Sequence, residues 1–168
     1  MACLAVAPLA EARAQTKPPP LDCTWLMVDT VTKTATFLLT AGLTGYNGAM
    51  NFNGYKDGAL TVTVPVNWNV VMRFANRDAD VPHSAQIVDS VTPLPAGPAN
   101  SAFPRAQTGR LMQGIPAGTA EEFKFVASKP GTYLIWCPVP GHGIAGMWIR
   151  FKVAGTMNRP TLSAPQST

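Results

Sequence analysis

Cys137, His142 and Met147 stand at equal intervals in Cys137-Pro138-Val139-Pro140-Gly141-His142-Gly143-Ile144-Ala145-Gly146-Met147, with four residues between them each time. Three side chains with metal-binding atoms on a stretch rich in Pro and Gly predict a tight loop that curls until all three point inward. The flanks say what carries it. Thr132 to Cys137 reads as a β run, and from Met147 to Val153 the residues alternate. Met147, Ile149, Phe151 and Val153 take one face; Trp148, Arg150 and Lys152 take the other, which is the two-residue period of a half-buried strand. The donors therefore sit on a connection between two strands.

The rest of the chain fits that start. Its 168 residues, 46% hydrophobic, suit one compact domain. Only 13% are charged, while 14 Gly and 16 Pro favour short strands and turns over helices. The expected class is all-β. Eight candidate strands run over Thr24 to Asp29, Thr34 to Thr40, Leu60 to Val64, Val70 to Asn76, Ser84 to Ser90, Glu121 to Ala127, Thr132 to Cys137 and Met147 to Val153. Leu60, Val62 and Val64 should face a core and Thr61 and Thr63 water, and Phe123 and Phe125 share a face. Val91 to Ala120, with five prolines and four glycines, reads as a long irregular connection carrying a short hairpin around Arg110 to Ile115. The four tryptophans read as packing residues rather than relay stations.

Residues 1–14 read as the remnant of a signal peptide: an apolar run from Ala2 to Ala10 precedes Ala12-Arg13-Ala14, a small-residue cleavage pattern. The segment is short and lacks a positively charged start, which puts the expected initiation site upstream, where an anchor for membrane association would also lie. Residues 15–22, with Lys17-Pro18-Pro19-Pro20, read as a stiff linker, 23–156 as the domain and 157–168 as a C-terminal tail. No run reaches transmembrane length. The net charge of +4 is spread along the chain; it biases docking toward acidic partners and gives no nucleic-acid footprint.

The chain has two histidines, and each stands where a ligand would. His142 lies in the loop, and His83 follows Pro82 at the start of a candidate strand. Two imidazoles, a thiolate and a thioether are the trigonal set with a weak axial Met that marks a blue-copper electron-transfer site. Zinc fits less well, because its structural sites take Cys and His and Met is a poor ligand. By parity, Cys23 and Cys137 offer a competing disulfide, which would suit an adhesion domain. Otherwise Cys23 is a buried or partly buried free thiol, or one half of an intermolecular bridge. A multicopper enzyme needs more histidines than this chain has, so no enzyme is expected. A copper storage or delivery module would favour Met-rich or His-rich tracts, and the seven methionines are scattered.

Gly131-Thr132-Tyr133-Leu134-Ile135-Trp136-Cys137, continued through Pro140-Gly141-His142 to Met147, resembles the C-terminal copper loop of the cupredoxins. Phe52-Asn53-Gly54-Tyr55, Val64-Pro65-Val66-Asn67-Trp68-Asn69-Val70 and Val81-Pro82-His83-Ser84 resemble the sulfocyanin branch, with rusticyanin as a relative. The resemblance implies a Greek-key β-sandwich and one type 1 copper ion cycling between Cu(I) and Cu(II). Its ligands would be His83, Cys137 and His142, with Met147 axial. It also implies an exported, periplasmic or extracellular monomer that passes single electrons between respiratory partners such as a c-type cytochrome or a terminal oxidase. Many cupredoxins carry Asn after the first ligand histidine. Here Ser84 stands there, so hydrogen bonding around the Cys137 sulfur is expected to differ. The small and apolar residues around His142, Ile144 among them, suggest a docking face.

Overall fold

A computed structural model describes residues 17–165. Residues 1–14, read as a signal remnant, lie outside the described residues, as do the last three of the chain. After a 3-10 turn at Cys23–Trp25 come β1 (Leu26–Asp29), β2 (Thr34–Ala41), β3 (Thr61–Pro65), β4 (Asn69–Asn76), β5 (Gln86–Asp89), β6 (Ala120–Val126), β7 (Gly131–Trp136), β8 (Trp148–Ala154) and β9 (Thr161–Ser163). They form two sheets, ordered β1-β2-β4-β6 and β5-β7-β8-β3-β9. β2 runs parallel to β4 with Phe37 opposite Met72, and β3 runs parallel to β8 with Val62 opposite Phe151. Parallel neighbours need a crossover rather than a tight turn, and the chain makes it by passing between the sheets. The result is the expected all-β cupredoxin-like sandwich.

Alternation sets what each strand buries. Phe37 and Leu39 of β2, Val70, Met72 and Phe74 of β4, and Phe123 and Phe125 of β6 meet Val62, Val64, Ile149, Phe151 and Val153 in one core. Thr61 and Thr63 stay half-exposed and Arg150 and Lys152 exposed, as their period demands. Trp68 and Trp136 are buried; Trp136 joins Val88 and Leu134 in a second cluster outside the main core, with Leu94 and Trp148 packed against it. Tyr55 donates its hydroxyl to the Pro19 carbonyl at 2.8 Å, so the proline stretch is tied to the sandwich.

Three readings are corrected. The hairpin around Arg110 to Ile115 does not form: Ile115 pairs with His83 and Gln107 with Gln86. Residues 83–87 lie at a sheet margin whose N–H and C=O groups need partners, and the long connection supplies them. The Ile87 amide donates to Ala106, the Thr108 amide to Ala85 (both 2.9 Å) and the Ile115 amide to His83 (2.7 Å). For the same reason regular β5 begins at Gln86 and not at Ser84. Finally, Thr161–Ser163, inside the stretch read as a tail, forms β9 and pairs antiparallel with β3, Leu162 opposite Val62; three residues are too few for a period to show.

Candidate metal centre

His83 enters the site from a turn that the chain builds after β4. The Asn76 side-chain amide donates to the carbonyls of Val81 (2.8 Å) and Ile115 (2.9 Å). Asp78 Oδ1 accepts from the amides of Asp80 (3.0 Å) and Val81 (3.3 Å). Such Asx turns set a loop's course by local side-chain bonds. The turn delivers His83 fully buried.

The second donor group comes from the loop between β7 and β8. Cys137 N–H donates to Met147 O and Met147 N–H to His142 O, both at 3.0 Å. His142 N–H donates to Val139 O and Ala145 N–H to Gly141 O, again at 3.0 Å. The loop is thereby closed on its own backbone, with Met147 just ahead of β8 rather than within it. From outside, Asn47 Nδ2 donates to the Ala145 carbonyl at 2.9 Å and the Asp57 amide to Gly146 at 2.9 Å.

These supports bring three donors together. His83 Nδ1 lies 3.1 Å from His142 Nδ1, and Cys137 Sγ lies 3.5 Å from His142 Nδ1. One ligand atom from each of the three falls within 4.8 Å of the others. Cys137 and Met147 are fully buried, and His142 is half-buried. Burial pushes the Cys137 thiol up to about 11, against the opposing pull of the Ser84 and Val139 amides and the Ser84 side chain. Burial also lowers both imidazoles, opposed at His83 by Asp78, while His83 itself depresses His142 further. Both rings are therefore neutral near pH 7, the form that binds metal.

Ser84 does two jobs: its amide donates to Cys137 Sγ at 3.4 Å, and its hydroxyl to the Leu111 carbonyl at 2.7 Å. The hydroxyl thus anchors the long connection. Cys23 and Cys137 are both free, so the disulfide reading falls; Cys23 is exposed, which corrects its expected burial. Its side chain lies in the 3-10 turn ahead of β1, outside the core. One residue escaped the sequence reading: Asp78 Oδ2 sits 2.9 Å from His83 Nε2. The turn-forming run Asn76-Arg77-Asp78-Ala79-Asp80 marked a loop, but no spacing rule ties a carboxylate to a ring five residues on.

A family model described as the sulfocyanin (SoxE) domain matches residues 23–163. The chain belongs to the sulfocyanin family. This sulfocyanin-family chain is 27% identical over 117 residues to the sulfocyanin of Sulfolobus acidocaldarius, a match covering 66% of this chain and 58% of that protein. It therefore spans less than two thirds of that relative's length. Among solved structures, rusticyanin from Thiobacillus ferrooxidans shares the fold at TM-score 0.53 and 24% identity, with 77% of this chain and 86% of that one covered. Dithionite-reduced auracyanin from Roseiflexus castenholzii does so at TM-score 0.54 and 22% identity, covering 76% and 99%. Rusticyanin, whose fold this chain shares, is itself a copper protein. The residues fit a copper ion: two neutral imidazoles and a sulfur converge on one buried point, in the donor set that blue copper prefers.

Proposed function

We propose that this protein is a mononuclear blue-copper electron carrier whose copper ion His83, Cys137, His142 and Met147 would hold. The observation that carries the reading is the convergence of His83 Nδ1 and Cys137 Sγ on His142 Nδ1, at 3.1 and 3.5 Å. An ion held there would supply one-electron chemistry between the cuprous and cupric states. The protein's own part is to keep the donors in one place for both. His83 is fixed by the turn after β4, and Cys137, His142 and Met147 by a loop bonded to itself, so little has to move when one electron arrives or leaves. Burial of His83, Cys137 and Met147 excludes water. His142 alone of the four is partly open to solvent, which makes its ring the route for the electron, and Ile144, 66% exposed beside it, an apolar contact for a partner.

The wider reading is a shuttle outside the cytoplasm between respiratory proteins, a c-type cytochrome or a terminal oxidase, with no catalysis of its own. Two considerations support it: a small apolar rim suits brief encounters, and residues 1–14 resemble an export signal. The copper-binding unit runs from Cys23 through β9. Among the described residues no helix is long and apolar enough to cross a membrane.

A visible spectrum of the purified protein after adding cupric ion, with and without ascorbate, tests the centre. An intense band that ascorbate bleaches and Cys137→Ala removes is expected. A colourless protein would end the carrier reading.

A further inference from the structure

The groups around the back of His83 form a second, unassigned layer. Asp78 Oδ2 meets His83 Nε2 at 2.9 Å, and the Asp78 side chain is only 8% exposed. Its other oxygen accepts from the Asp80 and Val81 amides, and its own amide donates to Asn76 Oδ1 at 3.0 Å. Asn76 in turn holds Val81 and Ile115, and Ile115 exchanges both backbone bonds with His83, at 3.2 and 2.7 Å. Behind Asp78 lies Gly42, where a Cβ would come within 2.8 Å of the Asp78 Cβ and amide nitrogen. The carboxylate is thus pinned on every side and has one free oxygen, aimed at the ring.

We propose that Asp78 is a positioning residue for the copper centre, fixing the proton of His83 on Nε2 so that Nδ1 faces the metal as a lone pair, and placing a negative charge directly behind that ligand. The argument is geometric. A carboxylate oxygen 2.9 Å from a ring nitrogen is held there by a proton between them, and a neutral imidazole that donates from Nε2 has only Nδ1 left to accept. Carboxylate–histidine–metal arrangements orient the ring and make it a stronger donor. The added charge favours the cupric over the cuprous ion. Among the described residues His142 has no such partner: its Nδ1 faces His83 and Cys137, and its ring is half open. The two histidines therefore differ in role, His83 as the fixed, charge-backed ligand and His142 as the contact with the outside.

The inference rests on the copper reading of this site, and its test separates the two. In the metal-free protein, long-range proton–nitrogen NMR of the imidazoles should show His83 protonated at Nε2, with that proton exchanging slowly. Asp78→Asn leaves one oxygen for the Asp80 and Val81 amides and turns an N–H donor toward the ring, so the His83 proton should move to Nδ1. Asp78→Ala should leave the tautomer mixed and exchange fast. Asp80→Asn, which removes the same charge from an exposed neighbour, should change neither. In the copper-loaded protein, Asp78→Asn should weaken cupric binding about tenfold more than cuprous binding, raising the potential by about 59 mV for a one-electron couple. A wild-type His83 protonated at Nδ1, or variants whose tautomer and potential match the wild type, would overturn the proposal. A wild type that holds the Nε2 proton but never colours with copper would overturn the copper reading instead.

Discussion

At the scale of single residues, the site depends on side chains too small to draw notice. Gly143 is the sharpest case. A Cβ there would lie 2.5 Å from Cε3 of Trp136 and 3.2 Å from the Cys137 carbonyl, so Gly143→Ala must push the loop off the buried indole. A loss of about 1–3 kcal/mol is expected, together with a shifted or weakened visible band; thermal melts and a spectrum check both. The spacing of Cys137, His142 and Met147 was legible because the loop carries its own pattern, and His83 because the chain has only two histidines. Asp78 was not legible. Its relation to His83 is made by a turn whose Asx bonds decide where the carboxylate points, and sequence carries the turn but not the aim. Cys23 was misjudged because thiols are usually buried, while a 3-10 turn ahead of the first strand put this one outside the sandwich.

At the scale of elements, strands with a clean period were legible to within a residue or two: Thr34–Ala41, Asn69–Asn76 and Ala120–Val126 fall nearly where alternation puts them. The long connection was not, because its partners are distant in sequence and its own residues have no period. Its anchor is Phe103, 2% exposed, whose ring lies 4.8 Å from Tyr133, 5.3 Å from Phe125 and 6.4 Å from Phe151 between centroids. Phe103→Ala should cost about 3–5 kcal/mol, read as a lower denaturation midpoint. The copper band should persist at low temperature, since the donors hang from Ser84, Ile115 and the loop between β7 and β8. If the variant loses copper while keeping its midpoint, the connection serves the site and not the core.

At the scale of the molecule, the apolar core between the sheets contains the cluster at one end without depending on it. Removing copper should therefore leave the far-ultraviolet circular dichroism unchanged. It should lower the melting temperature by about 5–10 °C when the holoprotein is measured with copper at a hundredfold of its dissociation constant. Unfolding on removal would instead make the ion part of the scaffold. The open side of His142 sets a second expectation: Ile144→Glu should slow electron exchange with a c-type cytochrome about tenfold and leave the spectrum as it was. Stopped-flow mixing measures this directly, and an unaltered rate would move the docking face elsewhere.

The order in which this chain assembles follows from the pairings already described. His83 and His142 are 59 residues apart, and the Asn47 contact that braces the loop spans 98. β3 must wait for β8, its parallel neighbour, and contacts of such sequence separation slow folding toward milliseconds to seconds. A nascent chain emerging from its amino end already carries His83 but lacks Cys137 and His142, and the three converge only when both sheets have closed. An ion that needs all three donors at once is therefore bound only after folding.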